Sequence, residues 1–205
     1  MEKPAFQTIS GKTVLFVMAA PMEYQDALKE RITPLITGVG PVEAAMVLTR
    51  GLELLKSDGK IPDYIVSLGS AGSRTLDQGE VYQAASVSYR DMDASPLGFT
   101  KGVTPFVDHP FDIPLHAPLD LPKVRLSTGA NIVSGSAYDA IDADMVDMET
   151  FAKKRVTDTY HIPLIGLRGI SDGKQELSKY EDWADYLHEI DKKLATAIDG
   201  LSDVL

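Results

Sequence analysis

The stretch Tyr64-Ile65-Val66-Ser67-Leu68-Gly69-Ser70-Ala71-Gly72 decides the fold. Its first half is apolar and β-branched without polar alternation, as suits a strand covered on both faces, and it runs straight into a glycine-rich turn. The same grammar repeats outward. Upstream, residues 13–20 form another continuous apolar run that stops at Pro21, followed by a short helix over 22–31 with Glu23 in its first turn. A strand over 32–37 then enters Gly38-Val39-Gly40-Pro41, and Val42, Ala45, Met46, Leu52 and Leu55 recur at helical spacing over 42–56. Downstream, the pattern predicts strands over 81–89, 131–133 and 163–170, a helix over 147–160, and a closing amphipathic helix over 181–205 that carries the only tryptophan, Trp183. Strands alternating with helices specify an α/β domain.

At 205 residues with 44% hydrophobic content, the chain can close one sizeable core and is short for two catalytic domains, so one domain over 1–205 is expected. Residues 1–12 are polar, lack the pattern of a secretory signal, and read as a frayed lead-in. No apolar run is long enough to span a bilayer as a helix. A net charge of −10 opposes any polyanion, which argues against a nucleic-acid partner. The absence of cysteine excludes disulfides and thiolate metal clusters and is compatible with a reducing cytoplasm. The four histidines, His109, His116, His161 and His188, show no metal-ligand spacing, so no metal or other cofactor is expected.

Three predicted strands carry Glu23, Ser70 and Asp172 at their carboxyl ends, the edge of an open α/β sheet where ligands collect. Each residue also has a plain reading. Asp172-Gly173 is a turn dipeptide, Glu149 is an acid placed favourably at a helix start, and Gly69-Ser70-Ala71-Gly72 is a tight turn without the dinucleotide-binding spacing.

Their order is more informative. The series Glu23, Gly38-Val39-Gly40, Gly69-Ser70-Ala71-Gly72, Asp91-Met92-Asp93-Ala94 with Gly98-Phe99, Ile132-Val133-Ser134-Gly135, Asp147-Met148-Glu149 and Arg168-Gly169-Ile170-Ser171-Asp172 resembles the purine nucleoside phosphorylase and nucleosidase superfamily, most closely its methylthioadenosine/S-adenosylhomocysteine nucleosidase branch. The resemblance implies a three-layer αβα fold around a central mixed β-sheet. It also implies hydrolysis of the N-glycosidic bond of a 5′-thio-substituted adenine nucleoside. Asp172 would then protonate purine N7, oriented by Ser171, and Glu149 would accept both ribose hydroxyls. Glu23 would activate water on the opposite face of the sugar, with Arg168 and Ser70 steadying that water and the acids.

Val39, Ala71, Gly72, Tyr138, Asp139 and Met148 match base and ribose walls in the family, with Tyr138 stacking on adenine. Ala94, Leu97, Phe99 and Pro105 match an apolar pocket for the 5′ substituent that a neighbouring subunit helps to build, so a homodimer is expected. The sequence departs from the family in a shortened interval between Glu23 and Gly38, in Asp139 at a usually apolar position, and in an abbreviated stretch from Tyr138 to Asp147. Tyr180 or Trp183 is the candidate aromatic lid, with a core position in the last helix as the other reading. Ala19-Ala20-Pro21-Met22-Glu23 in the first loop and Leu68 before the glycine turn offer no arginine for phosphate, which favours water as nucleophile. A phosphorylase, a nucleosidase of other specificity, and a nucleoside-binding module without turnover stay open as alternatives.

Overall fold

The computed structural model describes residues 3–173 and 183–205. Its centre is one mixed sheet of nine strands: β1 (Gln7–Ile9), β2 (Lys12–Met18), β3 (Leu35–Ile36), β4 (Tyr64–Gly72), β5 (Val81–Tyr89), β6 (Ile113–Pro114), β7 (Lys123–Thr128), β8 (Met145–Asp147) and β9 (Leu164–Asp172). Among the described residues the α-helices are α1 (Asp26–Lys29), α2 (Pro41–Lys56), α3 (Thr150–Thr159) and α4 (Leu187–Asp199). Pairing runs from β4 through β9, β5, β7 and β8 back to β4, so five strands close a ring while β1, β2 and β3 extend the sheet beyond β4.

Alternation along β2 shows why its apolar run is continuous. Leu15 and Val17 enter a core with Leu48, Leu52, Leu55, Phe151 and Val156 from α2 and α3, whereas Val14, Phe16 and Met18 enter a second core with Leu28, Ile190, Leu194 and Ile198 from α1 and α4. Both faces of the sheet are therefore covered by helices, giving the three-layer αβα arrangement that the resemblance implies.

Several local expectations are corrected. The predicted lead-in contains β1, which pairs with β2 through Ser10 and Gly11, both at positive φ (49° and 82°). Two positive-φ residues between paired strands make a tight hairpin turn, and Ser-Gly was its signal. The helix expected over 22–31 divides into a 3₁₀ turn at Pro21–Glu23 and the short α1. Asp191 of α4 accepts the backbone N–H groups of Gln25, Ala27 and Leu28, so a residue far along the chain supplies the cap. On α2 the buried face is Ala44, Leu48, Leu52 and Leu55, leaving the predicted face residues Val42 and Met46 exposed. Residues 131–133 form no strand; the strand is β7, and the chain leaves the sheet after it because Arg90 donates to the carbonyls of Gly129 and Asn131. The helix expected over 147–160 begins at Thr150, because Asp147 ends β8 and accepts the Thr150 N–H.

β9 brings the Arg-Gly-Ile-Ser-Asp segment against α4, and Gly169 makes that approach possible. A Cβ at Gly169 would stand 2.7 Å from Ile190 Cγ1 and 3.0 Å from Ile190 Cβ. Gly169→Ala should therefore destabilise the fold by about 1–3 kcal/mol through overpacking, measured as a fall in the urea midpoint with an unchanged slope.

Candidate active site

The carboxyl ends of β2, β4 and β9, together with the starts of α2 and α3, enclose a cavity of about 290 Å³. This lies at the lower edge of the usual range for small-molecule sites, about 300–1,000 Å³. Glu23, Ser70, Glu149 and Asp172 all line it, as do Val39, Ala71, Gly72 and Met148. Side chains separated by as many as 149 positions in sequence thus open into one space.

The 3₁₀ turn after β2 holds Glu23, which is 7% exposed. Its Oε1 accepts 2.7 Å hydrogen bonds from both the backbone N–H and the hydroxyl of Ser70. Trp183 Nε1 donates in turn to Ser70 Oγ at 2.9 Å and lines the cavity. Of the two lid candidates, Trp183 therefore belongs to the site, and Tyr180 lies outside the described residues.

Glu149 sits at the start of α3 and is also 7% exposed. Its Oε1 accepts the Gly40 N–H at 2.8 Å, and Gly40 can aim that N–H from the start of α2 because it adopts φ 94°. Burial and the neighbouring Asp147 charge nevertheless push the Glu149 carboxyl above the ordinary range, while Lys153, the Gly40 N–H and Arg168 pull it down. The start of a helix alone does not keep it charged.

Asp172 ends β9 and is 8% exposed. Burial raises its pKa, partly offset by the Ser171 hydroxyl, which donates to Oδ1 at 2.6 Å. Its Oδ2 faces Gly72, where a Cβ would stand 2.8 Å from that oxygen and collide with the Tyr138 hydroxyl. Only glycine leaves this corner open.

Other predicted residues lie behind or away from the cavity. Arg168 is 1% exposed and does not line it. Its Nε and Nη2 bond Asp147 Oδ2 at 3.2 and 3.0 Å, and its remaining donors go to the Ser67 carbonyl and hydroxyl, the Leu167 carbonyl and Thr150 Oγ1. Arg168 therefore braces the floor and does not reach Glu23. Ser171 also stands behind the wall and touches Asp172 from there. Tyr138 is buried against Val133 and Val146 and does not line the cavity. Asp139 pairs with Arg74 at the surface. Leu97, 81% exposed, Phe99, which meets Phe106 edge-on at 5.4 Å, and Pro105 do not reach the cavity within this chain.

Sequence reading missed Arg90, Asn131, Val146 and Asp147 as lining residues. Asp147 stood within the Asp147-Met148-Glu149 motif without being assigned a role, and Arg90 directly follows a predicted strand, which was its available signal. Arg90 spends Nη1 on the carbonyls of Ser127 and Asp147 and Nη2 on those of Gly129 and Asn131. Among the described residues, none of the helices is long and apolar enough to cross a membrane.

The chain belongs to the phosphorylase superfamily, whose family model matches residues 24–202. Among similar proteins, the 5′-methylthioadenosine/S-adenosylhomocysteine nucleosidase of Staphylococcus haemolyticus is 27% identical over 191 residues, covering 82% of this chain and 80% of the relative. The nucleosidase of the same description from Hydrogenovibrio crunogenus is 26% identical over 172 residues, covering 73% and 72% respectively. The solved S-adenosylhomocysteine nucleosidase of Streptococcus pyogenes, in complex with 5-methylthiotubericidin, superposes with a TM-score of 0.78 at 20% identity, over 94% of this chain and 97% of that one. The futalosine hydrolase of Helicobacter pylori gives 0.76 at 17% identity, over 93% and 97%. The two nucleosidases found by sequence carry the description of the branch that the motif series resembles, and the two solved structures share the fold.

Two aspartates should respond oppositely to neutralisation. Asp147→Asn leaves Arg168 buried without its counter-charge and should cost about 3–5 kcal/mol. Asp172 has a pKa raised above its unfolded value of about 3.8, so its ionisation opposes folding as pH rises through the native value. Asp172→Asn should therefore raise Tm at pH 7, and the gain should vanish below the unfolded value; thermal melts across pH check both signs.

Proposed function

We propose that the chain hydrolyses the N-glycosidic bond of a 5′-thio-substituted adenine nucleoside, 5′-methylthioadenosine or S-adenosylhomocysteine, releasing adenine and a 5-thioribose. The observation that carries this reading is the convergence of Glu23, Glu149 and Asp172 on one cavity with three different environments. Asp172, whose burial favours the protonated carboxyl, gives its proton to purine N7, so the base departs neutral as the C1′–N9 bond breaks. Glu149 accepts hydrogen bonds from the two ribose hydroxyls, a match between an acceptor-only carboxylate and a cis-diol. Glu23, fixed by two donors from Ser70, takes a proton from water as the water oxygen bonds C1′.

Water is favoured over phosphate because, among the described residues, the arginine Nη groups near the cavity are committed to the scaffold. The Nη groups of Arg90 are spent on four carbonyls, and Arg168 is locked beneath the floor. A carboxylate at the nucleophile position would also repel a dianion. The described relatives named as nucleosidases support the same reaction and substrate class.

The 5′ pocket is completed by a second copy of the chain. Leu97, Phe106, Val42 and Met46 are exposed apolar side chains that a homodimer would cover, and apolar walls suit a thioether, which has no strong hydrogen bonds to satisfy.

Adenine release from 5′-methylthioadenosine, S-adenosylhomocysteine, adenosine and inosine in phosphate-free buffer tests the reading. The thio-substituted adenosines should be preferred, and mass analysis should find a free thioribose with or without phosphate. A sugar 1-phosphate that forms only with phosphate would assign a phosphorylase, and nucleoside binding without adenine release would leave a binding module. Asp172→Asn should lower kcat by about 10²–10⁴-fold while nucleoside affinity holds, because geometry survives and the proton does not.

A further inference from the structure

Lys153 is 0% exposed and is not used by the reaction described above. It lies one turn along α3 from Glu149, an i,i+4 spacing that puts both side chains on one helix face. Its Nζ donates to Ser67 Oγ at 3.3 Å, the same hydroxyl that takes Arg168 Nη2 at 3.1 Å. The ammonium is therefore drawn beneath the cavity floor between α3 and β4, and three carboxylates act on it: Glu149, Asp147 and Glu23.

These carboxylates are not equivalent partners. Asp147 already holds Arg168 through two hydrogen bonds, so the charge of that pair is largely matched internally. Among the described residues Glu149 has a single neutral donor, the Gly40 N–H, and it faces the repulsive charge of Asp147 in a buried setting. The other cations that act on it, Arg168 and Arg90, are bonded to Asp147 and to backbone carbonyls. A carboxylate this short of compensation would take up a proton and lose half of its capacity to accept the ribose diol.

We propose that Lys153 is a positioning residue of the active site, a buried ammonium that holds Glu149 in the ionised form needed to accept the ribose hydroxyls. The inference rests on the role of Glu149 proposed above. Burial and the Arg168 charge, opposed by the three carboxylates, lower the Lys153 pKa to about 8, so the ammonium persists below that pH. The same burial makes the charge a cost to the fold. Relative to the unfolded chain, Lys153 is disfavoured below its native pKa and regains neutrality as pH rises, so it is retained at the expense of stability.

The test compares wild type with Lys153→Met, which keeps volume and removes charge. The acid limb of the kcat/KM profile for 5′-methylthioadenosine should move up by about one pH unit, a roughly tenfold loss on the acid side. Affinity for adenine, which has no ribose, should be unchanged, and Tm at pH 6 to 7 should rise. An unmoved acid limb, a loss equal at every pH, or a lowered Tm would overturn the inference, the last two marking a merely structural lysine. Should wild type release no adenine from any nucleoside, the reaction assigned above fails on its own. Calorimetric titration of both proteins with 5′-methylthioadenosine between pH 5 and 8 then decides the lysine: a shift in the acid limb of affinity upholds the inference, and coincident profiles overturn it.

Discussion

Asp147 and Arg168 form an ion pair at 3.0 Å in which both side chains are 2% exposed, and the cavity is built on it. Asp147 ends β8 and also accepts from Thr128 of β7 and from the Thr150 N–H of α3; Arg168 lies within β9 and reaches the Ser67 carbonyl and hydroxyl on β4. Four strands and a helix are thereby pinned at one point, immediately below the ends that present Ser70, Glu149 and Asp172. Burying such a pair yields little net stability because desolvation consumes most of the attraction, whereas losing one partner is costly. Its effect lies in register: a shift of β9 against β4 by one residue would turn Asp172 away from the cavity and leave both charges unmatched.

That floor also sets the electrostatics above it. The Asp147 charge that satisfies Arg168 repels Glu149, so Glu149 resists ionisation although it faces the start of α2. Asp172, beside Ser171 and behind Gly72, is raised by burial instead. Two carboxyls in one cavity thus arrive at raised proton affinities by different routes, one mainly correctable by a nearby cation and the other by solvent access. The distinction matters for chemistry in which one acid must surrender a proton and the other must stay an acceptor.

The sheet was legible in the sequence where burial on both faces wrote a largely apolar run, as in residues 13–18 and 64–68, and β5 and β9 were legible although Gln83 and Arg168 interrupt theirs. Short pieces were not. β8 has three residues, too few for any period to register, and α1 is capped by Asp191, more than 160 positions away. The amphipathic face of α2 was misjudged because Val42 and Met46 are apolar yet exposed, a choice that periodicity alone cannot distinguish from core. At the site, the carboxylates were found through their order along the chain, and the expectation that Arg168 stands beside water failed for a local reason. A guanidinium with five donors goes where acceptors are densest, and here that is the interior around Asp147, Ser67 and Thr150. Tyr138 and Asp139 also lie off the cavity wall, the tyrosine in the small core of Val133 and Val146 and the aspartate in a surface pair with Arg74.

Commitment of the cations to the scaffold bears directly on the choice of nucleophile. Binding a phosphate dianion requires donors whose desolvation has already been met and which point into the cavity, and bidentate arginine is the usual solution. Arg90 does line the wall, but its four Nη hydrogen bonds end on backbone carbonyls of β7, β8 and the loop after β7, so recruiting them would unfasten the wall they build. Glu23 lines the same cavity, with Trp183 donating to Ser70 and Ser70 donating to Glu23, a chain of donors that fixes an acceptor. An acceptor so fixed suits a neutral nucleophile that must lose a proton as it attacks, and it is poorly suited to an anion that has no proton to give.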